Sequence, residues 1–202
     1  MHARRSLAGA MLALSLMAAP VGAAPTGVAP AAPAAEATPS PSPLGRAFTS
    51  AAYGYSLSLP SGWEQRPRTG SSDLAEVRFA HAFPALRGLY QVYEGSVTDR
   101  AESWYHSART RYESTASTMP RLSGLTFSDL ETTSMGGQKA WRFGFVATFQ
   151  EGAPVAALII FTPRKTGERV DMHEVVITGD ASAMARADAD IEALLNGVRF
   201  SH

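Results

Sequence analysis

Large and small side chains alternate with period two from Tyr53 through Tyr55, Leu57 and Leu59, and the alternation stops at Pro60, Ser61, Gly62 and Trp63. That is the pattern of a half-buried strand running into a turn. Segments 74–80 and 88–96 read as further strands, the second rich in the Tyr and Val that suit a pleated surface, with 83–88 as the connection between them. At 99–102, Asp99 and Glu102 have the spacing of a capping box, so a helix begins there. Ala101, Trp104, Tyr105, Ala108, Tyr112, Ala116 and Met119 then form one apolar stripe at steps of three and four, and Pro120 ends it.

From 125 to 178 the pattern returns to strands, divided by turn signals at Gly136-Gly137, Glu151-Gly152 and Thr166-Gly167, which predicts an antiparallel meander. Trp141, Phe143, Phe145, Ala147 and Phe149 fall on one face of a strand, and Arg142, Gly144, Val146 and Thr148 on the other. Segment 155–161 is apolar on both faces, as a strand covered on each side must be. Asp180 is placed as the N-cap of a second helix whose buried side carries Met184, Ile191, Leu194 and Leu195 and which ends at Asn196-Gly197; 198–200 follows as a short closing strand or an extended tail. Helices on both sides of the sheet would bury all these stripes together. The predicted class is therefore α+β, a three-layer α/β/α sandwich with a mainly antiparallel sheet.

The first 45 residues have a different texture. A basic start (His2, Arg4, Arg5), an apolar run over 7–19 and a small-residue exit at 21–24 follow the order of a secretory signal, so residues 1–24 are predicted to direct export and to be cleaved after Ala23 or Ala24. The run is shorter than a membrane-spanning helix requires and is broken by Pro20 and Gly22, so no stable membrane insertion is predicted once the signal is cleaved. Residues 25–45 are mostly Ala, Pro, Ser, Thr and Gly and read as a flexible, partly extended linker. A single domain then occupies 46–202. The mature protein is predicted to be periplasmic, bound in the cell envelope, or secreted.

The domain carries 16 Lys and Arg against 17 Asp and Glu, a balance that argues against a nucleic-acid partner. Cysteine is absent, which excludes thiolate nucleophiles, Cys-ligated zinc and a lipid-accepting cysteine.

The segment running from Tyr53 to Trp63 resembles the opening of exported bacterial PsbP-like and DcrB-like domains. The close at 191–200 and the hairpin around Gly136, Gly137 and Ala140 are similar to the same group, although Asn196-Gly197 stands where that group usually has serine. The resemblance implies an α/β/α sandwich used chiefly as a non-catalytic accessory or binding module. It implies no shared catalytic motif.

Candidate chemistry is sparse. His81, His106, His173 and His202 lack ligand spacing, and His173-Glu174 has no second histidine for a zinc motif, so no metal or cofactor is predicted. Ser61 and Ser134 lack the framing of a nucleophile elbow, and Glu64, Asp73, Glu76, Glu94 and Glu102 are scattered singly. Tyr90, Tyr93, Trp104, Tyr105 and Trp141 are the richest aromatic set. The reading is an exported, non-enzymatic module for an envelope protein or small ligand, with Tyr90, Tyr93 and Arg142 nominated for its partner-binding face. An exported hydrolase with a dispersed site and a carrier of a small apolar ligand are the alternatives.

Overall fold

The computed structural model describes residues 47–66, 76–95, 100–166 and 168–201. Segments 1–24 and 25–45 lie outside the described residues, as do Asp73, Leu74, Asp99, Gly167 and His202. Among the described residues the order is β1 (Ala47–Ser50), β2 (Tyr55–Ser58), β3 (Trp63–Gln65), β4 (Glu76–His81), β5 (Leu86–Tyr93), α1 (Ala101–Ala116), β6 (Leu122–Phe127), β7 (Glu131–Met135), β8 (Gln138–Phe149), β9 (Val155–Thr166), β10 (Arg169–Asp180), α2 (Ala181–Met184), α3 (Asp188–Asn196) and β11 (Val198–Phe200). No helix among these residues is long and apolar enough to cross a membrane.

The class is α+β, dominated by antiparallel sheet. The larger sheet runs β3-β4-β5-β10-β9-β8-β6, with β7 also pairing β8, and a smaller sheet runs β1-β2-β11. Every pairing is antiparallel. The β7–β8 hairpin turns on Gly136 and Gly137, both with positive φ (60° and 75°), the conformation that a two-residue turn matching the strand twist demands of both its residues.

Period two in the strands divides the interior into two clusters. Along β10, Met172 and Val176 enter one while Val175 and Ile177 enter the other. The first cluster receives Ala101, Trp104, Ala108 and Tyr112 of the α1 stripe, together with Phe143, Phe145, Ile159 and Phe161. The second receives Tyr55, Leu57 and Val198 of the small sheet and Ile191, Leu194 and Leu195 of α3. Each large apolar side chain enclosed this way contributes about 1.5–3 kcal/mol relative to exposure.

Several boundaries differ from the pattern reading. β5 begins at Leu86, inside the segment read as a connection, because Leu86 and Arg87 pair with His81 and Ala80 on one side and with Gly179 and Thr178 on the other. The second helix is split into α2 and α3, and the Asp180 side chain caps neither. α1 starts where the stripe placed it, but Arg100 holds the N-cap position and makes no side-chain cap bond.

Candidate functional site

The sheet carries three buried ionisable residues within four positions of β10: Asp171, His173 and Glu174. They sit on the strand with neighbours on both sides, where a charge meets the least water and must be matched from within. Alternation sends them to different faces.

Glu174 is fully buried and faces α1. Its Oε1 accepts from Gln91 Nε2 at 2.7 Å and from the Tyr93 hydroxyl at 3.2 Å, and its Oε2 accepts from Trp104 Nε1 at 3.3 Å. Gln91 also donates to the Tyr93 oxygen at 2.8 Å. The Arg111 guanidinium lies 5.1 Å from the Tyr93 ring centroid and 4.9 Å from that of Trp104, which places a cation over both rings that hold the carboxylate. Burial pushes the phenols of Tyr93 and Tyr112 well above their ordinary value, and the Glu174 charge adds to the rise. Three donors from two elements converge on one carboxylate, so this cluster fastens α1 to β5 and β10.

On the opposite face His173 Nδ1 lies 2.7 Å from the Tyr90 hydroxyl, while Nε2 is buried without a hydrogen-bond partner. Tyr55 stacks on Tyr90 with centroids 4.4 Å apart, and Phe200 meets the imidazole edge-on at 5.2 Å. Burial lowers the His173 pKa to about 4; the nearby Asp171 charge works against this, and Arg164 adds to it. Asp171 is held by the Gly95 amide at 3.0 Å and by Arg169 at 2.8 Å. Apart from His173 Nε2, these groups are engaged with other groups inside the fold.

The three nominated residues do not share one open face. Tyr90 is 0 % exposed and belongs to the core, which corrects its assignment to a surface. Tyr93 is half-buried with its hydroxyl committed to Glu174. The two stand three apart on one strand, so period two sends them to opposite faces. Arg142 is exposed, as the nomination needs, and pairs with Glu131 at 2.8 Å. Two positions along β8 from Gly144, Val146 is 39 % exposed, beside a shallow depression of about 310 Å³ lined by Thr126, Phe127, Ser128, Gly144 and Ala156. Phe83, at 86 % exposed, is the other large hydrophobic left open among the described residues.

The histidines are dispersed. His81 is buried, with Nδ1 3.2 Å from the Pro84 carbonyl oxygen; His106 is exposed on α1. No three metal-ligating side chains converge among the described residues. The space between α1 and the sheet is filled, with Trp104 and Tyr112 against Phe161 and Phe145 at ring separations of 6.4 and 4.9 Å.

Pattern reading passed over Glu174 as half of an incomplete zinc motif. The signal available was three ionisable residues interrupting an otherwise apolar strand that runs on through Val175, Val176 and Ile177.

No protein-family model matches the chain, and no curated protein does. Solved structures do. Cyanobacterial PsbP (CyanoP) from Synechocystis sp. PCC 6803 is similar with a TM-score of 0.55 at 11 % identity, over 90 % of this chain and 99 % of that one. The fold is PsbP-like. LpqN of Mycobacterium tuberculosis, described as involved in cell envelope biogenesis, is similar with a TM-score of 0.52 at 13 % identity, over 73 % of this chain and 83 % of that one. In this PsbP-like domain Asp171, His173 and Glu174 of β10 are interior, and among the described residues the exposed large hydrophobics are Val146 and Phe83.

Proposed function

We propose that the chain is an exported, non-enzymatic accessory module of the cell envelope. In this reading residues 1–24 are a cleaved signal, 25–45 a linker, and 46–202 a three-layer α/β/α sandwich that holds an envelope partner. The observation that carries it is the contrast between the two kinds of surface. Asp171, His173 and Glu174 are enclosed and contact other side chains of the fold, whereas the depression at Gly144 and Val146 is open, shallow and largely apolar. A shallow apolar patch, with the exposed and ion-paired Arg142 two positions along β8 from Gly144, suits a protein surface. The description of LpqN as an envelope-biogenesis protein supports the compartment.

The test is cross-linked co-purification from the native envelope, comparing the wild type with the double variant Arg142→Ala/Val146→Ser. A partner retained by the wild type and lost by the equally stable variant is the expected result. Turnover of ester, peptide, phosphate or glycoside substrates, abolished by one Ser, His or carboxylate substitution in a folded protein, would replace this reading with the hydrolase.

A further inference from the structure

His173 occupies the seam between the two sheets. Its ring touches β5 through Tyr90, β2 through Tyr55 and β11 through Phe200. Arg164 of β9 reaches the same strand end. Its guanidinium lies 4.8 Å from the Phe200 ring centroid, and its Nη2 donates to the Ser201 carbonyl at 2.8 Å. Phe200 therefore contacts both a permanent cation and a buried neutral imidazole.

In the neutral imidazole one ring nitrogen carries a proton, and the Tyr90 hydroxyl satisfies Nδ1 whichever tautomer is present, by donating to it or accepting from it. A second proton converts Nε2 or Nδ1 into a further N–H donor and adds a charge. Tyr90 can accept from Nδ1, but Nε2 has no acceptor. The new charge lies in the field of Arg164, and the opposing carboxylate of Asp171 is already paired with Arg169. Among the titratable and charged groups around the ring, Asp171 on β10 favours the protonated form and Arg164 on β9 opposes it. Tyr90 and Tyr55 supply no negative charge in acid, and β11 offers only Phe200. Separation of the small sheet would give the imidazolium water.

We propose that His173 is an acid-sensitive latch for the small sheet: uptake of a second proton parts β2 and β11 from the larger sheet while β9 and β10 stay paired. The His173 value of about 4 lies below its ordinary 6.5, so the closed form binds fewer protons than the open one between those limits. Opening therefore becomes about tenfold more favourable for each pH unit of acidification across that window.

Native-state hydrogen exchange on the purified chain between pH 7 and 4.5 tests this, read as protection factors so that intrinsic exchange chemistry cancels. Amides of β2 and β11 should lose about tenfold in protection per pH unit below about 6, with β9 and β10 unaffected over the same range. His173→Phe should flatten that slope, and His173→Gln serves if the first variant does not fold. Direct titration of the wild-type imidazole gives a third readout. A pH-independent β11, an unchanged slope in the folded variants, parallel loss from β9 and β10, or an imidazole that titrates at 6.5 would each overturn the latch.

Discussion

Gln91 and Glu174 stand directly opposite each other across the β5–β10 ladder and are joined by a 2.7 Å hydrogen bond from Nε2 to Oε1. A cross-strand pair in an interior position can carry a charge because register brings the donor to it, and Tyr93 and Trp104 then complete the shell. Removing the carboxylate takes the acceptor from the Tyr93 hydroxyl and from Trp104 Nε1 and leaves the Arg111 charge without its nearby carboxylate. Glu174→Ala is expected to cost about 3–5 kcal/mol in urea denaturation. Glu174→Gln should cost less, since its amide oxygen still accepts. A near-neutral alanine variant would show that the cluster does not hold α1.

Leu194 and Leu195 are buried in the cluster shared by α3 and the small sheet. Leu195→Ala should therefore lower stability by about 2–5 kcal/mol. Glu192, exposed on the same helix, supplies the control: its alanine variant should stay within about 0.5 kcal/mol. Equal effects at the two positions would remove α3 from the core.

Gly88 stands opposite Phe79 in the β4–β5 ladder, and a Cβ there would come within 1.8 Å of the Phe79 ring. The aromatic ring covers the glycine. Gly88→Ala should cost at least about 1–3 kcal/mol by overpacking, and the loss should be recovered in part by the double variant with Phe79→Leu. Additive losses in the double-mutant cycle would reject the steric account.

Tyr90, Tyr93 and Tyr112 all have phenol pKa values raised above 10.0, in each case first by burial. Each phenol ionises at lower pH in the unfolded chain than in the folded one. Their stabilisation is thus fully present below pH 10 and is lost as pH rises above it. Tyrosinate absorbance should follow two phases, with at least three of the six tyrosines ionising only as the circular dichroism of the sheet collapses. A single phase preceding unfolding would contradict the burial of these rings.

Much of the fold was legible because periodicity is a local signal. The α1 stripe from Ala101 to Ala116, the aromatic face of β8 and the two-faced apolar β9 all follow from spacing alone. Pairing partners are not local. Leu86 joins a strand because Gly179 lies beside it, and nothing near residue 86 in the chain announces that. The nominated residues separate for a related reason. Tyr90 and Tyr93 were grouped by residue type, although their odd separation already assigns them to opposite faces. Glu174 looked incomplete because its partners, Gln91 and Trp104, are at least 70 residues away.

The small sheet joins β1 and β2 to β11, the last strand of the described chain. β11 lies more than a hundred residues beyond β2, so a growing chain offers β2 this second neighbour only after all the intervening sequence has been made. The Gly136 amide meets the Leu195 carbonyl at 3.1 Å, which ties the β7–β8 hairpin to the same late event. Until then β2 lacks its second neighbour and Tyr55 lacks the cover of Phe200, and loop-closure entropy makes such long-range pairing slow. The nascent chain is thereby kept from premature closure, and any truncation before Val198 should leave a sticky, half-built edge.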